Sequence, residues 1–212
     1  MGAVLDFDQA LDRLLTLLQR GDRVLLGLAG APGAGKTTVA ERLVAAVEAD
    51  GRFRAAHVPM DGFHLADVTL ERLGRQDRKG AIDTFDGWGY RTLLGRLRDR
   101  ELEPVYAPGF ERDLEQPIAA AIVVEPGVDL VVSEGNYLLV DASPWSEAAA
   151  HLDEVWFCDA PHRVRRDRLI ARHVVFGRTP EEAEAWVDAV DLPNAALILS
   201  TRRRADAVVR TA

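Results

Sequence analysis

The chain has 212 residues, 48% of them hydrophobic and 28% charged, which suits a single globular domain over 1–212 with a core of its own. Lys and Arg number 26 against 34 Asp and Glu, a formal charge of −8, and this excludes the cationic footprint that general nucleic-acid binding requires. The one cysteine, Cys158, excludes an intrachain disulfide, and no stretch has the uncharged apolar length of a membrane span or the pattern of a secretion signal. The expectation is a cytoplasmic protein whose partners are small molecules, neither nucleic acid nor membrane.

Leucines at helical spacing predict an amphipathic helix over 4–20, closed by Gly21. Residues 24–29 form a short apolar run that turns glycine-rich, the pattern of a buried parallel strand. Residues 37–49 have helical periodicity and stop at Asp50-Gly51, and 55–60 read as a strand ending in Asp61-Gly62. The charged, glycine-bearing stretch 64–86 predicts loops with one helical turn or more. Residues 89–100 read as helix, 103–116 as extended, 128–133 and 154–158 as strands, and 162–173 and 179–190 as helices. Residues 197–199 and 207–209 are short and apolar. Strands alternating with helices predict an α/β fold, three layers around a parallel sheet with right-handed crossovers. The densest arginine stretch, 163–178, reads as a helical lid over about 163–180, and 62–116 as a substrate-side insertion.

The sharpest motif is Gly30-Ala31-Pro32-Gly33-Ala34-Gly35-Lys36-Thr37, which fits G-x-x-x-x-G-K-[ST] between an apolar strand and a helix. Glycines at these positions let successive N–H groups converge on an anion, and the following helix adds its positive end. Gly30, Gly33, Ala34, Gly35, Lys36, Thr37 and Thr38 are therefore candidate phosphate-binding residues. Lys36 would reach the β- and γ-phosphates, and the Thr37 hydroxyl would bind Mg²⁺. Lys36 is one of only two lysines among 26 basic residues, so a compact point charge is wanted there. Glu134, directly after the 128–133 run, is the candidate second metal-side acid; a solvated strand-end carboxylate is the other reading.

A phosphate loop alone does not separate a switch, a motor and a kinase. No guanine-reading N-K-x-D is present. A small-molecule kinase needs a base for the acceptor hydroxyl and mobile cations around the transferring phosphoryl group. Asp61 is the candidate base, placed where parallel strands end and ligands bind; a turn Asp before Gly62 is the other reading. Arg165, Arg168 and Arg172 fall at i, i+3 and i+7 and present one helical face, and Arg163, Arg166 and Arg178 complete the cation set; a solvated helix face is the other reading. His64, Asp83 and Arg112 are substrate-side candidates. The alternative to a kinase is a nucleotide-binding regulatory or assembly protein with little or no turnover. No His, Cys or carboxylate spacing indicates zinc.

Taken together, Gly30–Thr37, Met60-Asp61-Gly62-Phe63, Phe85-Asp86, Pro104-Val105-Tyr106, Glu134-Gly135 and the arginines at 165, 166, 172 and 178 resemble the uridine kinase and pantothenate kinase branch of the P-loop kinases. The resemblance implies a five-stranded parallel sheet with a hinged lid, ATP and Mg²⁺ as cofactors, and Asp61 contacting the acceptor hydroxyl. It also implies Tyr106 on the substrate side, and Arg203, within Thr201-Arg202-Arg203-Arg204-Ala205-Asp206, bordering the nucleotide. It leaves open a homodimer and an acceptor that is a nucleoside, a pantothenate-like compound or a sugar. The stretch Tyr106-Ala107-Pro108-Gly109-Phe110-Glu111-Arg112 lacks the Tyr-Asp and His of uridine kinases. With Asp191-Leu192-Pro193-Asn194-Ala195 it is similar to a group termed nucleoside/nucleotide kinase-like or fructokinase-like. In the lid, His173 stands where that branch has Asp.

Overall fold

A computed structural model describes residues 2–211. Six parallel strands make one sheet in the order β1 (Ala3–Leu5), β8 (Ala207–Arg210), β7 (Glu154–Asp159), β2 (Val24–Ala29), β6 (Leu130–Gly135), β3 (Ala55–His57). Every residue of β2 and β6 is buried, as a strand covered on both faces demands. Successive side chains alternate between two cores. Leu25, Val131 and Phe157 face one cluster with Tyr90 and Trp145. Leu26, Val132 and Trp156 face the other with Leu14, Leu43 and Val47.

The second cluster is covered by α1 (Phe7–Leu18) and α2 (Lys36–Asp50). The first is covered by α4 (Gly87–Asp99), α5 (Trp145–Ala149) and α8 (Leu192–Thr201). α3 (Asp67–Leu73) and two short 3-10 turns fill the 64–86 connection, and β4 (Val105–Glu111) and β5 (Gln116–Val124) form a separate antiparallel hairpin. α6 (His162–Val175) and α7 (Pro180–Trp186) form the arginine-rich arm, and a π-helical turn over Val187–Asp191 joins α7 to α8.

Several boundaries differ from the sequence reading. Val4 and Leu5 do not begin the first helix; they pair with Val208 and Val209 as β1, because Asp6 stops the helix at its start. The Asp6 carboxylate accepts from Gln9 N–H and the Gln9 side chain accepts from Asp6 N–H, a reciprocal cap. β1 is the sixth strand beyond the five expected. β3 ends at His57, and Met60–Phe63 curls into a 3-10 turn. Residues 197–199 lie inside α8. Asp86 accepts from Gly89 N–H and caps α4. Among the described residues, no helix is long and apolar enough to cross a membrane.

Candidate active site

The strand order reverses around β2, and the open ends of β2, β6 and β3 deliver the phosphate loop, Glu134 and Asp61 to the same edge of the sheet. Such a crevice is where open α/β sheets bind ligands. A cleft of about 1120 Å³ lies there, lined by the phosphate loop, Asp61, Glu134 and the arginine-rich arm.

The phosphate loop is held by close backbone approaches. Gly30 has φ +156°, and a Cβ there would lie 2.7 Å from the Cys158 carbonyl oxygen. Gly33 has φ +75° and sits against α6, where a Cβ would meet the Arg165 carbonyl oxygen at 2.6 Å. Both positions therefore require glycine. The Ala34 carbonyl accepts from Thr211 Oγ1 at 2.6 Å, and Arg168 donates to the Gly33 and Thr211 carbonyls at 3.4 and 3.1 Å. Pro32, Gly33, Gly35, Lys36, Thr37 and Thr38 border the cleft, whereas Gly30 and Ala34 shape the loop from behind.

Lys36 is buried, and its ammonium donates to the Gly30 carbonyl at 3.0 Å and to Asn136 Oδ1 at 2.7 Å. Burial pushes its pKa down, while the Glu134 and Asp61 charges pull it up. The Thr37 hydroxyl donates to Glu134 Oε1 at 2.9 Å. Glu134 is 3% exposed, and burial pushes its pKa up. The Asp61 charge acts in the same direction, against Lys36 and the Thr37 hydrogen bond.

Asp61 sits in the Met60–Phe63 turn and accepts from Arg112 Nη2 at 3.1 Å. The hairpin bearing Arg112 rests directly on this turn. A Cβ on Gly62 would lie 2.2 Å from the Pro108 carbonyl oxygen, so only glycine permits the contact. The His64 ring lies between Phe85 and Phe110, with centroids at 4.0 and 4.8 Å, and its Nδ1 is 2.8 Å from the Asp61 carbonyl oxygen. Burial lowers the His64 pKa, so a neutral ring forms this wall. Asp61, His64 and Arg112 all border the cleft.

On the arm, Arg172, His173 and Arg178 border the cleft. Arg178 stacks on Trp186 at 4.0 Å, and His173 Nε2 lies 2.9 Å from Asp191 Oδ2. Four sequence-predicted residues are not brought to the cleft. Arg166 turns toward α7 and lies 3.7 and 3.6 Å from Glu184 and Asp188. Asp83 pairs with Arg75 and Arg78. Tyr106 points from the outer face of the hairpin and is 56% exposed. Arg203 lies exposed in the 3-10 turn after α8, and Val209, Arg210 and Thr211 border the cleft in its place. The three-arginine face also fails at Arg165, which is buried with Nε directed at the Ala160 carbonyl.

Sequence reasoning missed Asn136, Lys79 and the Phe7–Arg42 pair, all at the cleft. Asn136 directly follows Glu134-Gly135, a signal within reach. Phe7 and Arg42, whose guanidinium sits 3.8 Å above the Phe7 ring, come from helices that no motif connects.

No model of a known protein family matches the chain. A Schizosaccharomyces pombe protein named "Putative uridine kinase C227.14" is 37% identical over 201 residues, covering 90% of this chain and 84% of that one. The crystal structure from Silicibacter sp. TM1040 described as a "putative fructose transport system kinase" is 38% identical with a TM-score of 0.84, covering 93% of this chain and 98% of that one. YFH7 of Saccharomyces cerevisiae shares the fold at 21% identity, with a TM-score of 0.81 over 98% of this chain and 99% of that one. By this likeness in sequence and architecture, the chain belongs to the uridine kinase-like branch of the P-loop kinases.

Proposed function

We propose that the protein transfers the γ-phosphoryl group of ATP, with Mg²⁺, to a hydroxyl of a small polar metabolite: a nucleoside, a pantothenate-like compound or a sugar. The supporting observation is that the Asp61 carboxylate and the Lys36–Thr37–Glu134 cluster border one cleft. A nucleotide-only binder would have no use for a carboxylate aimed at the same space.

In this reading, the N–H groups of the 33–38 loop hold the phosphates, and Lys36 leaves Asn136 to meet the β- and γ-oxygens. The Thr37 hydroxyl and the Glu134 carboxylate are both hard oxygen donors, already in contact at 2.9 Å. That fits Mg²⁺, which takes one or two side chains and fills its remaining positions with phosphate oxygens and water. When bound, the ion neutralises charge shared by the β- and γ-phosphoryl groups. Asp61 accepts the proton of the attacking hydroxyl, and Arg112 keeps that carboxylate aimed. Arg172 and Arg178 supply positive charge from the arm, and the arm excludes water.

A thermal-shift screen with a non-hydrolysable ATP analogue and Mg²⁺ present tests the acceptor assignment. One hydroxyl-bearing metabolite should raise Tm further. If no nucleoside, pantothenate-like compound or sugar does so, the acceptor assignment fails.

Arg168, which touches the loop, should matter more for nucleotide binding than Arg166, which does not. Arg168→Ala is expected to raise KM for ATP by about tenfold, a loss of one charge-assisted contact. Arg166→Ala should change it less than about twofold. Steady-state kinetics with varied ATP distinguishes them.

Glu134 links function to stability. Its folded pKa stands above the ordinary value of 4.5, so the folded state binds this proton more tightly than the unfolded state. Stability is therefore lost as pH rises from the unfolded pKa through the folded one. Glu134→Gln should raise the Tm of the ligand-free protein at about pH 8, with a smaller gain at about pH 5, and should abolish Mg²⁺-dependent turnover. A lower Tm at the higher pH would contradict this.

A further inference from the structure

A second cavity, of about 460 Å³, opens at the opposite end of the sheet, where β2 begins and α1 and α4 end. Its charged lining is Arg20, Arg23, Arg98 and Arg100 against Asp22 and Asp153. Asp129 lies 3.5 Å from Arg100, so four arginines stand against three carboxylates, a positive surplus on a chain whose net charge is −8.

Arg23 is the unusual member. It is 3% exposed, and its guanidinium is held by main-chain carbonyls alone: Nε by Val128, Nη1 by Leu97, and Nη2 by Glu125 and Pro126. A guanidinium has five N–H groups, so one Nη1 hydrogen stays free. No carboxylate forms an ion pair with Arg23 among the described residues, although buried charges ordinarily find a counter-ion. Arg98 cannot neutralise it, and is itself committed to Asp153 at 2.8 Å and to the His151 carbonyl. Arg100 is only loosely engaged, 3.5 Å from Asp129, and its backbone has φ +56°. A glycine at this helix end would relieve that conformation, yet a long cation stands there. The Arg20 side chain is exposed and makes no ion pair or hydrogen bond among the described residues.

We propose that this pocket binds a phosphate dianion, either inorganic phosphate or the phosphoryl end of a small metabolite. A positive surplus favours an anion, and guanidinium forks pair with phosphate oxygens in the bidentate manner. The walls are fixed by packed structure: Arg23 is locked in the core, and Arg98 is pinned to the chain segment entering β7. Arg20 is the free part of the rim, and Arg100, held only at 3.5 Å by Asp129, would close with it on the anion.

The test is a titration of the whole protein with inorganic phosphate, and separately with glucose 6-phosphate, followed by backbone amide NMR. Shifts at residues 20–24 and 98–101 should follow one isotherm, distinct from any at 30–38. Arg20→Ala and Arg100→Ala should each weaken that isotherm about tenfold, the loss of one charge-assisted contact, and leave the 30–38 response unchanged. Tighter binding of glucose 6-phosphate marks a phosphorylated metabolite as the natural ligand; tighter binding of inorganic phosphate marks the free ion. Shifts confined to 30–38, or an isotherm that neither variant alters, would overturn the proposal.

Discussion

Asp61→Asn should lower kcat by at least ~10²-fold, while ATP affinity stays within about twofold. The carboxylate borders the cleft without touching the phosphate loop, and its recorded side-chain partner is Arg112 at 3.1 Å. Asn keeps the size of the group and its acceptor oxygen, so the turn and the Gly62–Pro108 contact persist. What disappears is the capacity to take a proton. A loss in kcat with nucleotide binding retained therefore isolates the base function, and calorimetry with a non-hydrolysable ATP analogue supplies the control. Full turnover in the variant would remove Asp61 from the mechanism.

Lys36→Ala should cost about 10³-fold in kcat/KM, at the upper end of what one preorganised donor in a water-poor site contributes. Its ammonium is buried, is held at 2.7–3.0 Å by Asn136 and Gly30, and stands beside two carboxylates that favour its charged form. The hydrogen bonds hold the amine against its own loop, ready to exchange a carbonyl for a phosphate oxygen. Lys36→Arg should not restore activity. The Lys36 Nζ is fitted between the Gly30 carbonyl at 3.0 Å and Asn136 Oδ1 at 2.7 Å, the place of a compact point charge that a longer planar fork does not reproduce. Activity within tenfold of wild type in either variant would contradict the assignment.

Much of this site was legible because its chemistry is local. Gly30 to Thr37 needs its glycines, its lysine and its hydroxyl in one consecutive run, and the flanking strand and helix are strong patterns. Glu134 and Asp61 each follow an apolar run, and strand ends are ligand ends in a parallel sheet. The remainder depends on packing. Arg165, Arg166 and Arg168 are near neighbours on α6, but steps of about 100° per residue send them in different directions. Only the approach of α6 to Gly33 decides that Arg165 is buried, Arg168 meets the loop and Arg166 faces α7. Arg203 gave way to Val209, Arg210 and Thr211 for the same reason: β8, not the basic run before it, carries the chain past the loop. β5 was invisible because Gln116–Val124 contains a run of alanines, and its pairing with β4 shifts register between Ala107 and Gly109, so its alternation is broken. β1 is three residues long and its apolar side chains merge with those of α1.

Rapid-quench single turnover with γ-labelled ATP, Mg²⁺ and the metabolite chosen by thermal shift measures the claim most directly, that a nucleotide phosphate and an acceptor hydroxyl meet between Lys36 and Asp61. The expected result is label appearing on the acceptor at the rate at which ATP disappears, with little released as free phosphate. Label passing only to free phosphate, at a rate that no acceptor alters, would contradict it.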